Sequence, residues 1–84
     1  MPLGTAIRYL KKGDWAKAHA IVQRDETELG CWAHGIVHIV EGDLPNARYL
    51  YRRAHRPFPR ERDVDAEVAA LSHALSHALH KGTQ

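Results

Sequence analysis

Apolar residues recur along this chain at three- and four-residue intervals and nowhere alternate strictly, so the pattern is helical throughout and predicts no β-strand. A first short helix is expected over residues 5–12, where Ile7 and Leu10 sit beside Ala6 and Tyr9, and Gly13 stops it. Asp14 can cap a second helix, because its carboxylate accepts from the free amides of the next turn. Trp15, Ala18, His19 and Val22 give that helix one buried face down to about residue 24. Asp25, Glu26 and Thr27 read as a polar connection. A third helix is expected over residues 29–41, ended by Gly42. Asp43 caps a fourth, which carries Pro45 in its first turn and runs to about residue 55. Pro57, Phe58 and Pro59 end it, since proline disfavours helical geometry in the residue before it. A last helix starts at Asp63. Its acidic first turn (Asp63, Asp65, Glu67), and His80 and Lys81 before Gly82, match the polarity of the helix dipole. Val64, Val68, Leu71, Leu75 and Leu79 form its apolar stripe.

The pattern also repeats. GDWAKAHAIV from Gly13 and GDLPNARYLY from Gly42 share a Gly-Asp step and then an alanine, Ala18 and Ala47, in the same frame. Tyr9 precedes the first step where His38 precedes the second. Gly35, Gly42, Asp43, Ala47, Tyr51, Ala54 and Pro59 give the stretch from Trp32 to Pro59 a close resemblance to the tetratricopeptide helical hairpin, and Tyr9, Gly13, Ala18 and Val22 extend it to the preceding unit. The resemblance covers residues 6–59. The spacing of the two steps, about 29 residues, is shorter than the family's ~34, and His34 and His38 stand where the family prefers leucine and tyrosine. The resemblance implies an all-α fold of about five helices: two antiparallel hairpins, residues 5–25 and 29–56, and a capping helix over residues 63–81. It implies a role in protein–protein interaction as well.

At 84 residues the chain has room for one domain. A chain this short buries only about 60–65% of its unfolded surface, so modest stability and a gain from self-association are expected. No apolar run reaches the roughly 18 residues of a membrane helix, and the N-terminus lacks a signal-peptide core, so no membrane association and a cytoplasmic location are expected. Cys31 is the single cysteine, which excludes an internal disulfide and agrees with a reducing compartment. Seven histidines are the compositional oddity.

Three groups of residues could carry chemistry. His34 and His38, four apart on the third helix, can ligate one transition metal, and His19 on the buried face of the second helix is the best third ligand. Zinc or copper is the cofactor such a site implies; otherwise the histidines pack and hydrogen-bond between helices and no cofactor is needed. Cys31 shares their face but stands about 10 Å from His38 along the axis, too far to join the same ion. His73, His77 and His80 stripe the last helix opposite its leucines, as a weakly charged solvent face or a pH-sensitive helix contact. Arg48, Arg52 and Arg56 ridge the fourth helix, continued by Arg53, Arg60 and Arg62, with Tyr49, Tyr51 and Phe58 interleaved. Such a ridge can attract an anionic partner, although a net charge of only +2 argues against nucleic acid.

No catalytic triad, carboxylate pair or phosphate-binding glycine loop can be assembled, so no catalytic residue and no enzymatic activity are expected. The leading expectation is a small non-enzymatic interaction module, self-associating or taking a protein or peptide partner on Trp32, Ile36, Ile39, Arg48 and Arg52. The resemblance implies that Trp32, Ile36 and Ile39 point to the concave side of a short array, where partial cover by the last helix is expected, with a homodimer or peptide partner as the alternative. The competing expectation is a metal-binding protein built on His19, His34 and His38.

Overall fold

In the computed structural model, which describes residues 2–81, five helices follow one another: α1 (Pro2–Lys12), α2 (Trp15–Val22), α3 (Glu28–Glu41), α4 (Leu44–Arg53) and α5 (Val64–Lys81). No strand occurs among the described residues. The expected C-terminal stop, Gly82, lies outside them. α1 pairs with α2 and α3 with α4 as two hairpins; α2 also touches α3, and α5 lies across α1 and α3.

The repeated Gly-Asp step closes both hairpins by the same geometry. Gly13 and Gly42 adopt left-handed φ values of 80° and 79°, which only glycine tolerates without a Cβ penalty. Around them the same pair of bonds forms. Gly13 N–H donates to Leu10 and Asp14 N–H to Tyr9, as Gly42 N–H does to Ile39 and Asp43 N–H to His38. The aspartates then cap α2 and α4 with nearly identical backbones, φ/ψ −89°/77° and −91°/76°, accepting from Lys17 N–H and Asn46 N–H. The sequence repeat is therefore a repeat of backbone structure.

Inside the second hairpin, Gly35 lets the chains approach. A Cβ there would fall 2.6 Å from Cδ1 of the Tyr51 ring, so no larger residue fits without displacing that ring. Ala47 and Ala54 are buried in the same hairpin. Thr27 does more than connect: its hydroxyl accepts from Gly30 N–H and so caps α3, while Asp25 Oδ1 accepts from both its N–H and its hydroxyl. This is why α3 begins at Glu28, a residue earlier than the apolar pattern alone indicates. α1 begins at Pro2, because Leu3 extends its apolar face into the core. α2 is shorter than expected and ends at Val22, and α4 ends at Arg53.

α5 decides what becomes of the third helix. Val68, Leu71 and Leu75 are buried against α1 and α3, and they cover Trp32, which is 2% exposed, and Ile36, which is fully buried. Glu67 fastens the contact: its Oε1 accepts from Trp32 Nε1–H at 3.1 Å and from Tyr51 O–H at 2.5 Å. Leu79 departs from its predicted place in the stripe and is 46% exposed, because α5, at 18 residues, outruns α1 at 11 and α3 at 14.

Candidate metal centre

Three imidazoles meet where the two hairpins touch. His34 and His38 lie one turn apart on α3, and His19 comes from the face of α2 that packs on α3. His34 Nε2 is 3.1 Å from His19 Nε2 and 3.1 Å from His38 Nε2, and the ligand atoms of all three lie within 4.8 Å of one another. A tetrahedral zinc ion with Zn–N of about 2.0–2.1 Å holds its nitrogens about 3.3 Å apart, so two of the three separations already match. All three side chains are half-buried. His34 and His38 also line a cleft of about 350 Å³, shared with Cys31, Asn46, Tyr49 and Arg53, which gives the cluster a route to solvent.

The hydrogen bonds of this cluster depend on which ring nitrogen of each histidine carries the proton. Where three Nε2 atoms meet and His34 Nε2 accepts from both neighbours, His19 and His38 must each carry their proton on Nε2. That leaves the Nδ1 of His38 as a bare lone pair. It is buried without a hydrogen-bond partner, 3.2 Å from a Glu41 carboxylate oxygen and 3.6 Å from one of Asp43, so that the lone pair faces two anions and is repelled. With the His38 proton on Nδ1, His34 Nε2–H can donate to His38 Nε2 instead, but His34 Nε2 then no longer accepts from His19. A cation among the three imidazoles would take up one lone pair from each and leave the His38 proton on Nδ1, toward the Glu41 and Asp43 carboxylates, the arrangement that orients metal-bound histidines.

His34 is already in the state a metal needs. Burial, then repulsion from His38, His19 and Arg53, lowers its pKa to about 4, so the ring is neutral at pH 7. Cys31 does not join the cluster. It is buried, its Sγ lies 3.9 Å from the Glu26 carbonyl oxygen, and burial pushes its thiol pKa up. That environment favours a packed thiol over a thiolate.

The other expected site residues fare differently. Trp32 and Ile36 are core, buried under α5, and offer no surface to a partner; Ile39 is half-buried at the rim of the core. The correction has a plain cause: α5 packs on α3 and α1 and buries Val68, Leu71 and Leu75 in one core with these two residues. Arg48 and Arg52 are exposed on α4, as expected. His73 and His77 are exposed on α5 and belong to no ligand cluster among the described residues.

Two further groups escaped the sequence reading. Glu41 at i+3 from His38 was detectable, since residues so spaced share a helix face. Glu67 was not: its partners Trp32 and Tyr51 are brought to it only by the packing of α5. Comparison with protein-family models, with curated proteins and with solved structures gives no match.

Proposed function

We propose that this chain is a small helical-hairpin protein that binds a transition metal, zinc or copper, through His19, His34 and His38. The observation that carries this reading is the convergence of three imidazoles from two different helices, whose ligand atoms all lie within 4.8 Å of one another. The two Gly-Asp hairpins supply the frame, and the packing of α2 on α3 between them sets His19 against His34. Zinc and copper both favour imidazole nitrogen, and three protein ligands leave one position for water or an exogenous ligand. The role as an interaction module has lost Trp32 and Ile36 as contact residues and rests on the arginines of α4.

The test is equilibrium metal binding by calorimetry and chelator competition on chelator-treated protein. One ion per chain, bound below about 1 μM and lost in both the His34→Ala and His38→Ala variants, is the expected result. A His73→Ala/His77→Ala control should retain that site. Binding weaker than about 1 mM, or binding that survives His34→Ala and disappears in the α5 control, overturns the reading.

A further inference from the structure

On the face of the second hairpin away from the histidines, α4 and the turn after it build a second feature, independent of any metal. Arg48, Arg52 and Arg56, at i, i+4 and i+8, line one shallow cleft of about 250 Å³ together with Tyr51 and Phe58. Exposed arginines are ordinarily mobile and solvated. Two of these are held. The Arg48 guanidinium lies over the Phe58 ring, 4.5 Å from its centroid, and that of Arg56 over the Trp32 ring at 3.9 Å. Phe58 is itself fixed edge-on against Tyr51, with centroids 5.4 Å apart.

The backbone contributes as well. His55 takes a left-handed φ of 58° and lets Arg56 N–H return to the Tyr51 carbonyl, which turns Arg56 back over Trp32. A stacked guanidinium keeps its N–H donors at the ring edge free for an anion.

The positive charge is not ion-paired. Among the described residues none of the three arginines has a carboxylate within ion-pairing distance, and the hydrogen bonds of nearby Glu67 go to Tyr51 and Trp32. A carboxylate would neutralise one charge of three. A phosphate monoester brings about −1.5 to −2 and three acceptor oxygens, each a match for a guanidinium fork. The dipole at the end of α4 opposes an anion with roughly half a charge, which three full positive charges outweigh. From these observations we infer that the Arg48–Arg52–Arg56 cleft is a binding site for a phosphate monoester group, held between two aromatic-pinned guanidiniums with Arg52 closing on it.

The experiment is a titration of the whole chain at constant ionic strength, followed by the arginine side-chain N–H resonances. Probes are inorganic phosphate, a small sugar phosphate, a phosphoserine peptide, the same peptide unphosphorylated with glutamate in place of phosphoserine, and acetate. Phosphate-bearing probes should bind at least tenfold more tightly than acetate and the glutamate peptide, with shifts confined to Arg48, Arg52 and Arg56. Arg52→Gln should weaken them about tenfold, and Phe58→Leu should weaken them less while leaving Arg52 able to respond. An Arg24→Gln control should change nothing. If the phosphopeptide exceeds the sugar phosphate and inorganic phosphate, the ligand is a modified protein; if all three bind alike, it is a small phosphorylated molecule. Equal response to acetate and phosphate, a glutamate peptide that binds as well as the phosphopeptide, or an Arg52→Gln variant with undiminished binding overturns the inference.

Discussion

His38 Nε2 stands 3.1 Å from the Nε2 of His34, while the other nitrogen of the same ring is buried 3.2 Å from the Glu41 carboxylate. One imidazole thus faces another ring nitrogen on one side and an anion on the other, and a neutral ring has a single proton to divide between them.

That relationship makes Glu41 the first residue to change. Glu41→Gln removes the nearer of the two anions beside His38 Nδ1 but leaves the three Nε2 atoms alone. Metal affinity should fall about 10-fold, within the range usual for loss of a carboxylate behind a ligating histidine. Stability of the metal-free chain should stay within about 0.5 kcal/mol, because Glu41 is exposed. Chelator competition and urea unfolding measure the two separately.

Acid should destabilise the metal-free fold through His34. Its folded pKa, about 4, lies below the ordinary 6.5, so between these values the unfolded chain binds the proton that the native one refuses. The native state therefore has its full advantage above pH 6.5 and loses it as the pH falls toward 4. Because the ring is only half-buried, the loss should be discounted to about 1–2 kcal/mol. Urea midpoints measured across this window for the parent and for His34→Gln give the difference. A variant that keeps the parent's full slope would show that other groups are responsible.

Gly35→Ala sets two effects against each other. Alanine improves helix propensity by about 0.8–1 kcal/mol. Its Cβ, however, would fall 2.6 Å from the Tyr51 ring, and that ring is held by Glu67 and by Phe58. Overpacking of this kind costs about 1–3 kcal/mol, so the variant should be less stable by about 1 kcal/mol. Gly4→Ala meets no atom within 4 Å and should show the propensity gain alone. Thermal unfolding of the two variants checks both signs.

Glu67 should be worth more to stability than its position suggests. Glu67→Ala leaves the Trp32 and Tyr51 donors without their acceptor where α5 meets the second hairpin, at a cost of about 1–3 kcal/mol. Glu67→Gln keeps an acceptor oxygen and should recover at least half of that. Trp32 emission should shift to longer wavelength in the alanine variant as α5 loosens. If α5 stays closed with unchanged stability, the acid is dispensable to the fold.

Much of this molecule was legible in its residues. The five helices follow from apolar periodicity and from caps that act locally: Gly13 and Gly42 at left-handed turns, Asp14 and Asp43 on the next free amides, Asp63 before α5. Even the likeness of the two hairpins was legible, because a Gly-Asp step encodes its own backbone. The pairing of His34 with His38 needed only the helical repeat, and His19 needed only the inference that α2 rests on α3 through its buried face.

What those residues do depends on contacts between positions far apart in the chain. Trp32 and Ile36 carry the same apolar pattern whether a partner covers them or α5 does; only the return of α5 across α1 and α3 makes them core. Glu67 reads as a dipole-matched acid in a first turn until Trp32 and Tyr51 arrive beside it. Arg48 and Arg56 read as a solvated ridge until Phe58 and Trp32 hold them. By itself, then, the sequence determined the helices, the turns and which residue types could meet. The tertiary structure decided which of them are covered, oriented or left without a partner. The physical reason is range: caps and periodicity act within a turn or two of helix, while burial and charge compensation are settled by whatever packs against them.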